Sequence, residues 1–288
     1  DRYKLTAGYN GVINARQFKM PGFRWPTEYR YPDETYRLRH DIDVGGERFE
    51  LHHGKGETDD HTWIWIPGRK TLCTCGNPQK VQRYPREWAV APREMATHEP
   101  ELLLPGHGWP IAGADRVRQA LTDTAALLDH LVDETLALMN AGARLDDIVH
   151  NVRAPAELLE RPYLRPVYDE PEFVVRTVCR LYGGWYDGNP AHLKPAPDAA
   201  LAAELASLAG GAGVLADRAA VLAAAGDLRM AGQLAELAAQ AAPDDAGVHR
   251  VRAEVFAQRA GDELSTMSKG VFSWAADESQ IRLAELGD

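Results

Sequence analysis

Residues 51–67 read LHHGKGETDDHTWIWIP, which sets His52, His53 and His61 beside Glu57, Asp59 and Asp60 on the lip of an expected strand. Imidazole and carboxylate are good ligands for zinc, and ligands on strand-end loops can converge while distant in sequence. Two readings of the stretch stand side by side: a metal-binding loop, or a solvated polar turn. His52 and His53 alternate to opposite faces of a strand, so at most one of them faces a site. Farther on, PGHG at 105–108 sets His107 between glycines. Such neighbours let the backbone turn sharply and leave an open face for water or substrate.

The elements that must position these residues can be read from pattern. Residues 35–75 are β-rich, and YRLRHDIDVGGERFELHHG offers two runs around Gly45–Gly46, a pair suited to a hairpin turn that needs positive φ. TWIWIPGRKTLCTC repeats the pattern with PGRK as the turn. A helix is expected over PREWAVAPREMATHEP, its length limited by Pro92, and a short strand over ELLLPGHG. Strand pairs, a helix and a further strand suggest a mixed α/β layer. From about Ala114 the pattern turns helical, with Val117, Leu121, Leu127, Leu128, Leu131, Leu136 and Leu138 at helical spacing and Gly142 beyond the end. Beyond residue 196 the chain is rich in Ala and Leu. Two AGD turns, at Gly226–Asp227 and Gly261–Asp262, lie close to the ~34-residue period of helix–turn–helix repeats. This is a TPR-like pattern suited to a packing or dimer scaffold.

The chain has 288 residues, 45% of them hydrophobic, and a formal charge of −10, so nucleic acid and anionic membranes are not expected partners. No apolar run approaches the ~20 residues that span a bilayer. Cys73, Cys75 and Cys179 are an odd set that implies no disulfide framework, which points to a reducing compartment, the cytoplasm.

GETDDH and PGHG, in this order and on strand ends, resemble two loops of metallo-β-lactamase-fold hydrolases, with Glu57 standing at a ligand position of the first and His107 as the ligand of the second. His61 is a third candidate ligand. RLYGGWYDGNPAHLKPAP at 180–197 resembles the GxxDGNPAxLxPxP signature of the dimerisation domain of alkyl sulfatases in that superfamily. GETDDHTWIWIP and HGWP are similar to other segments of the family. The signature also has an architectural reading, in which Gly188 and Pro190 stop a helix while Trp185 and Tyr186 pack.

The resemblance implies an α/β metallo-β-lactamase-type αββα sandwich whose C-terminal part is residues 1–113. An all-α, TPR-like dimerisation domain follows at 114–265, with a tail at 266–288. It implies a binuclear zinc hydrolase that cleaves a sulfate ester by metal-activated water and works as a homodimer through the helical domain. Glu57 and His107 match the family's ligand glutamate and histidine. Asn77, Gln79, Lys80 and Arg83 fall where the family contacts the sulfate group. None of the ten histidines has the family's HxHxDH spacing, and that motif is expected upstream of residue 1. The second bridging carboxylate would fall at Gly76, where residues before Asn77 are expected to be missing. No counterpart of the family's sterol-carrier-like domain is read at the C-terminal end, which leaves shorter or different esters open as substrates. Two alternatives remain: the same scaffold acting on a phosphoester or thioester, since fold does not fix substrate, or a metal-free domain kept as a dimeric scaffold.

Overall fold

The computed structural model describes residues 7–288 except 19, 21, 29, 57 and 75–83. Two compact units emerge, one built from residues 1–31 with 194–288 and the other from residues 32–193. The helix that begins at Ala114 packs within the sheet-containing unit.

Helix α1 (Ala7–Gln17) belongs to the first unit. The second unit opens with the hairpin β1 (Arg39–Val44) and β2 (Glu47–His53). Gly45 and Gly46 both take positive φ, 61° and 83°, the conformation that matches a two-residue turn to the strand twist. Strand β3 (Thr62–Ile66) pairs antiparallel with β4 (Thr71–Thr74) through a 3₁₀ turn at Pro67–Arg69, and Lys70 takes the left-handed φ of 43°. Helix α2 (Pro85–Thr97) then leads to β5 (Leu102–Pro105) and β6 (Ile111–Ala112). Pro92 does not stop α2, which runs through it to Thr97. Among the described residues six strands lie in sequence order, and only β4 and β5 run parallel.

Cross-strand partners share a face. Glu50, Trp65, Leu72, Leu103 and Ile111 therefore form one row across the sheet. On this face Trp63, Trp65, Leu72 and Leu103 pack with Ala91 and Met95 of α2 and with Val117 and Leu121 of α3 (Ala114–Asn140). The opposite face carries Ile42, Phe49, Leu51, Ile64, Ile66, Leu102 and Leu104, so it too is apolar. On that face Val44 is 61% exposed, and Ile42 and Leu104 are also exposed.

Helix α3 is one 27-residue helix that ends before Gly142, whose φ is 81°. Its distal half joins α4 (Leu145–Asn151) and α6 (Pro171–Gly183) in a second core around Leu131, Val132, Ile148, Val175 and Val178. The short α5 (Ala156–Leu159) lies between these two helices in sequence.

The other unit continues with α7 (Asp198–Ala209), α8 (Ala212–Ala224), α9 (Leu228–Ala241), α10 (Ala246–Asp262) and α11 (Thr266–Leu286). Residues expected to form a tail are thus a 21-residue helix, which packs on α10 and α1. Small residues dominate the core, with Ala219, Ala231, Ala235 and Ala238 almost fully buried. Asp227, Asp245 and Ser265 cap α9, α10 and α11 by accepting backbone N–H bonds. The two AGD sequences are not equivalent. Gly226–Asp227 forms a turn and cap, whereas Gly261–Asp262 lies in the last turn of α10.

Candidate metal-site end of the sheet

Strand direction decides which loops meet. His53 at the end of β2 pairs with Thr62 at the start of β3. Strand β3 runs against β4, and β4 runs with β5, so Thr74 and Pro105 finish together beside the start of β3. The loop 54–61, the chain leaving β4 and the loop after β5 therefore all depart from one end of the sheet. Gly106 N–H donates to the Thr74 carbonyl at 2.5 Å, which holds the His107 loop against the end of β4. On the far side of the 75–83 stretch, Tyr84 N–H donates to the Gly56 carbonyl at 2.9 Å.

The described residues of the loop 54–61 are held by hydrogen bonds to their neighbours, while Lys55, Asp59 and Asp60 stay exposed. Gly54 N–H donates to the His61 carbonyl at 2.9 Å, and His53 Nε2–H donates to the Asp59 carbonyl at 2.7 Å. Tyr84 donates its hydroxyl to the Asp59 carboxylate, and the Lys55 ammonium lies 5.0 Å above the Tyr84 ring. Gly56 is buried, and a Cβ there would come within 2.4 Å of His61 Nδ1, so only glycine fits. His61 is half-buried and meets the Trp88 ring edge-on, with centroids 5.6 Å apart.

The expected ligands divide by position. His107 is exposed between β5 and β6, and Gly108 beside it takes a φ of 94°. His61 sits in the neighbouring loop of the same sheet end. Glu57 lies outside the described residues, as do Cys75, Asn77, Gln79, Lys80 and Arg83. Among the described residues, no three His, Cys, Asp or Glu side chains gather as a metal-binding group. The donors present suit zinc chemically without completing a set.

His52 turns elsewhere. Its ring stacks on Trp63 at 3.9 Å and 7°, with His98 edge-on at 5.5 Å, beneath α2. Burial, reinforced by the charges of His98 and Arg39, pulls its pKa below the ordinary histidine value. His53 takes the opposite face, as the strand period requires. Three residues at this end escaped the sequence reading: Tyr84, Trp88 and Trp109. Trp109 follows Gly108 and is 89% exposed. The YPREW run gave a signal for the first two, since it places them at the start of a helix that returns to the loop.

The alkyl sulfatase signature folds as a turn after α6. The helix ends at Gly183, so Gly188 and Pro190 lie beyond it, and Pro190 opens a 3₁₀ turn instead of stopping the helix. Trp185 and Tyr186, expected to pack, are exposed. Asp187 Oδ2 accepts from His192 Nδ1–H at 2.5 Å, and this bond holds its carboxyl below the ordinary aspartate range.

Residues 144–281 match the family model for alkyl sulfatase dimerisation. The linear primary-alkylsulfatase of Pseudomonas sp. (strain ATCC 19151) is 29% identical over 214 residues, covering 70% of this chain and 39% of that protein. The (R)-specific secondary-alkylsulfatase of Pseudomonas sp. is 30% identical over 235 residues, covering 76% of this chain and 35% of that protein. The chain thus spans well under half the length of these relatives. The stereoselective inverting sec-alkylsulfatase Pisa1 from Pseudomonas sp. superposes with a TM-score of 0.78 at 25% identity, covering 85% of this chain and 41% of that one. By sequence and fold the chain is similar to alkylsulfatases, and its residues 144–281 match the family model for alkyl sulfatase dimerisation.

Proposed function

We propose that the chain is part of a zinc-dependent hydrolase that cleaves a sulfate ester and works as a homodimer. The observation that carries the proposal is topological: the Glu57 and His61 loop, the chain leaving β4 and the His107 loop all leave one end of a mixed sheet. Glu57 and His107 are the residues that would hold the metal, with His61 beside them. Zinc, when bound, supplies a hydroxide near neutral pH and polarises the ester oxygens. The chain's own part is to aim the donors. The bonds from Tyr84 to Gly56 and Asp59 pin one loop, and the Gly106–Thr74 bond pins the other. Asn77, Gln79, Lys80 and Arg83 are assigned to the sulfate oxygens, where amide and cationic donors suit an anionic group.

The exposed apolar face of the sheet supports the αββα reading, because a sheet apolar on both faces needs a layer on each. A second sheet is assigned to the face of Ile42, Val44 and Leu104.

The test is product release by the full-length protein from matched panels of alkyl sulfates, alkyl phosphates and thioesters. Release of sulfate, abolished by a chelator and restored by zinc, is the expected result. Release of phosphate or thiol alone would move the activity to another ester. A folded, zinc-loaded dimer with no turnover on any panel would overturn the hydrolase reading.

A further inference from the structure

We propose that His52 and His98 form an acid-sensitive latch in the seam between the sheet and α2. With neutral rings the seam is closed, and protonation of His52 opens it and loosens the loop 54–61. The latch needs no metal and goes beyond the zinc reading above.

The pieces meet at Trp63, which is fully buried. The His52 ring lies flat on this indole, with centroids 3.9 Å and planes 7° apart. His98 follows the last residue of α2, and its ring centroid lies 5.4 Å from that of Trp63, 5.3 Å from Trp65 and 5.5 Å from His52. Gly54 opens the loop against the same indole, where a Cβ would lie 3.7 Å from Trp63 Cδ1 and Nε1. The bonds from His53 to the Asp59 carbonyl and from Gly54 N–H to the His61 carbonyl carry this strand end into the loop. Whatever parts His52 from Trp63 therefore disturbs the root of the loop.

The seam is not built to hold a cation at His52. His52 Nε2 is buried and, among the described residues, has no hydrogen-bond partner. Glu50 Oε2 lies 3.6 Å away, too far for such a bond. Glu50 is itself buried, and its Oε1 is held by Arg39 at 2.9 Å and Arg48 at 3.3 Å. A proton on His52 would place a charge in a buried seam beside His98 and Arg39, with one carboxylate already shared by two arginines. Burial foremost, and then the charges of His98 and Arg39, lower the His52 pKa against the opposing pull of Glu50. The open seam thus binds more protons than the closed one. The latch is shut above about pH 7, and opening becomes more favourable as pH falls below about 6.5.

Hydrogen exchange of the full-length protein tests this, with labelling times corrected for the intrinsic pH dependence of exchange. Between about pH 7.5 and about pH 5.5, protection of the segments around His52–Trp63 and Trp88–His98 is expected to fall about tenfold in wild type. That is the gain from one proton that the open seam binds near pH 6.5 and the closed seam excludes. His52→Phe keeps a stacked ring without the proton, and its protection is expected to change less than about twofold. An equal acid loss in both proteins, or a wild type that keeps its protection, would overturn the latch. Should His52→Phe not fold, His52→Gln decides: protection insensitive to acid supports the latch, and the wild-type acid loss overturns it.

Discussion

The sheet of residues 39–112 rests on a few large side chains, whereas the helices of residues 198–286 rest on many small ones. Trp63, Trp65, Leu72 and Met95 fill the space between sheet and helices. Ala219, Ala223, Ala231 and Ala235 line the equivalent space in the helical unit. Small residues bring helix axes close. A Cβ at Gly232 on α9 would lie 2.4 Å from Arg259 Nη1 of α10, so that helix has glycine where an arginine crosses it. Polar groups are also handled differently. In the helical unit Arg252 is buried and donates to Glu236 Oε2 at 2.8 Å, the Ala275 carbonyl at 2.7 Å and Ser279 Oγ at 3.0 Å. Ser279 in turn donates to His249 Nδ1 at 3.1 Å, and His249 Nε2–H donates to the Pro243 carbonyl at 2.9 Å. That network lies within the helical unit. At the end of the sheet, by contrast, His107 and Trp109 are exposed on a loop. The helices are built to pack, and the strand ends are built to present groups.

The comparison breaks most visibly at Trp63, which is fully buried. Trp63→Ala should cost about 3–5 kcal/mol in urea unfolding, and a loss below 1 kcal/mol would mean that the sheet core is not keyed to it. In the helical unit the opposite change is the damaging one. Ala235→Leu, at a site 1% exposed, should cost about 1–3 kcal/mol by overpacking. A neutral result there would show that the alanine-lined core has slack.

These cores were partly legible beforehand. The VGGE hairpin and the helix from Ala114 follow from local pattern, because turn chemistry and helical periodicity are properties of neighbours in sequence. The parallel pairing of β4 with β5 is not local, and it is what brings the His107 loop to the Glu57 end. The exposure of Trp185 was also hidden, since an aromatic beside a helix end reads the same whether it packs inward or faces out. For the site, residue types pointed to His107 and Glu57, but the supporting bonds from Tyr84 come from the returning helix and leave no signature in the loop itself.

A smaller effect is expected at Gly188. Gly188→Ala should cost about 1–2 kcal/mol through its left-handed backbone, aggravated by Arg144 nearby, and thermal melting would show it. Acid supplies the smallest probe. Hydrogen bonds from Arg39 foremost, and then from Arg48, lower the Asp41 pKa to about 2. Its folded pKa lies below the unfolded value, so the stabilisation is present above about pH 4 and fades as pH falls toward 2. Asp187 is lowered too, chiefly by its bond from His192, and acts in the same direction. Acid titration of Asp41→Asn should therefore show a shallower loss of stability below pH 4 than wild type. An identical profile would remove Asp41 from the account.

The central claim is that the end of the sheet, not the helical unit, holds the metal. Elemental analysis of the full-length protein tests it most directly. The account predicts about two zinc ions per chain, with zinc lost in folded Glu57→Ala and His107→Ala variants and retained in His249→Ala. Full zinc content in both of the first two variants, or a correctly folded wild-type protein that takes up none, would contradict it.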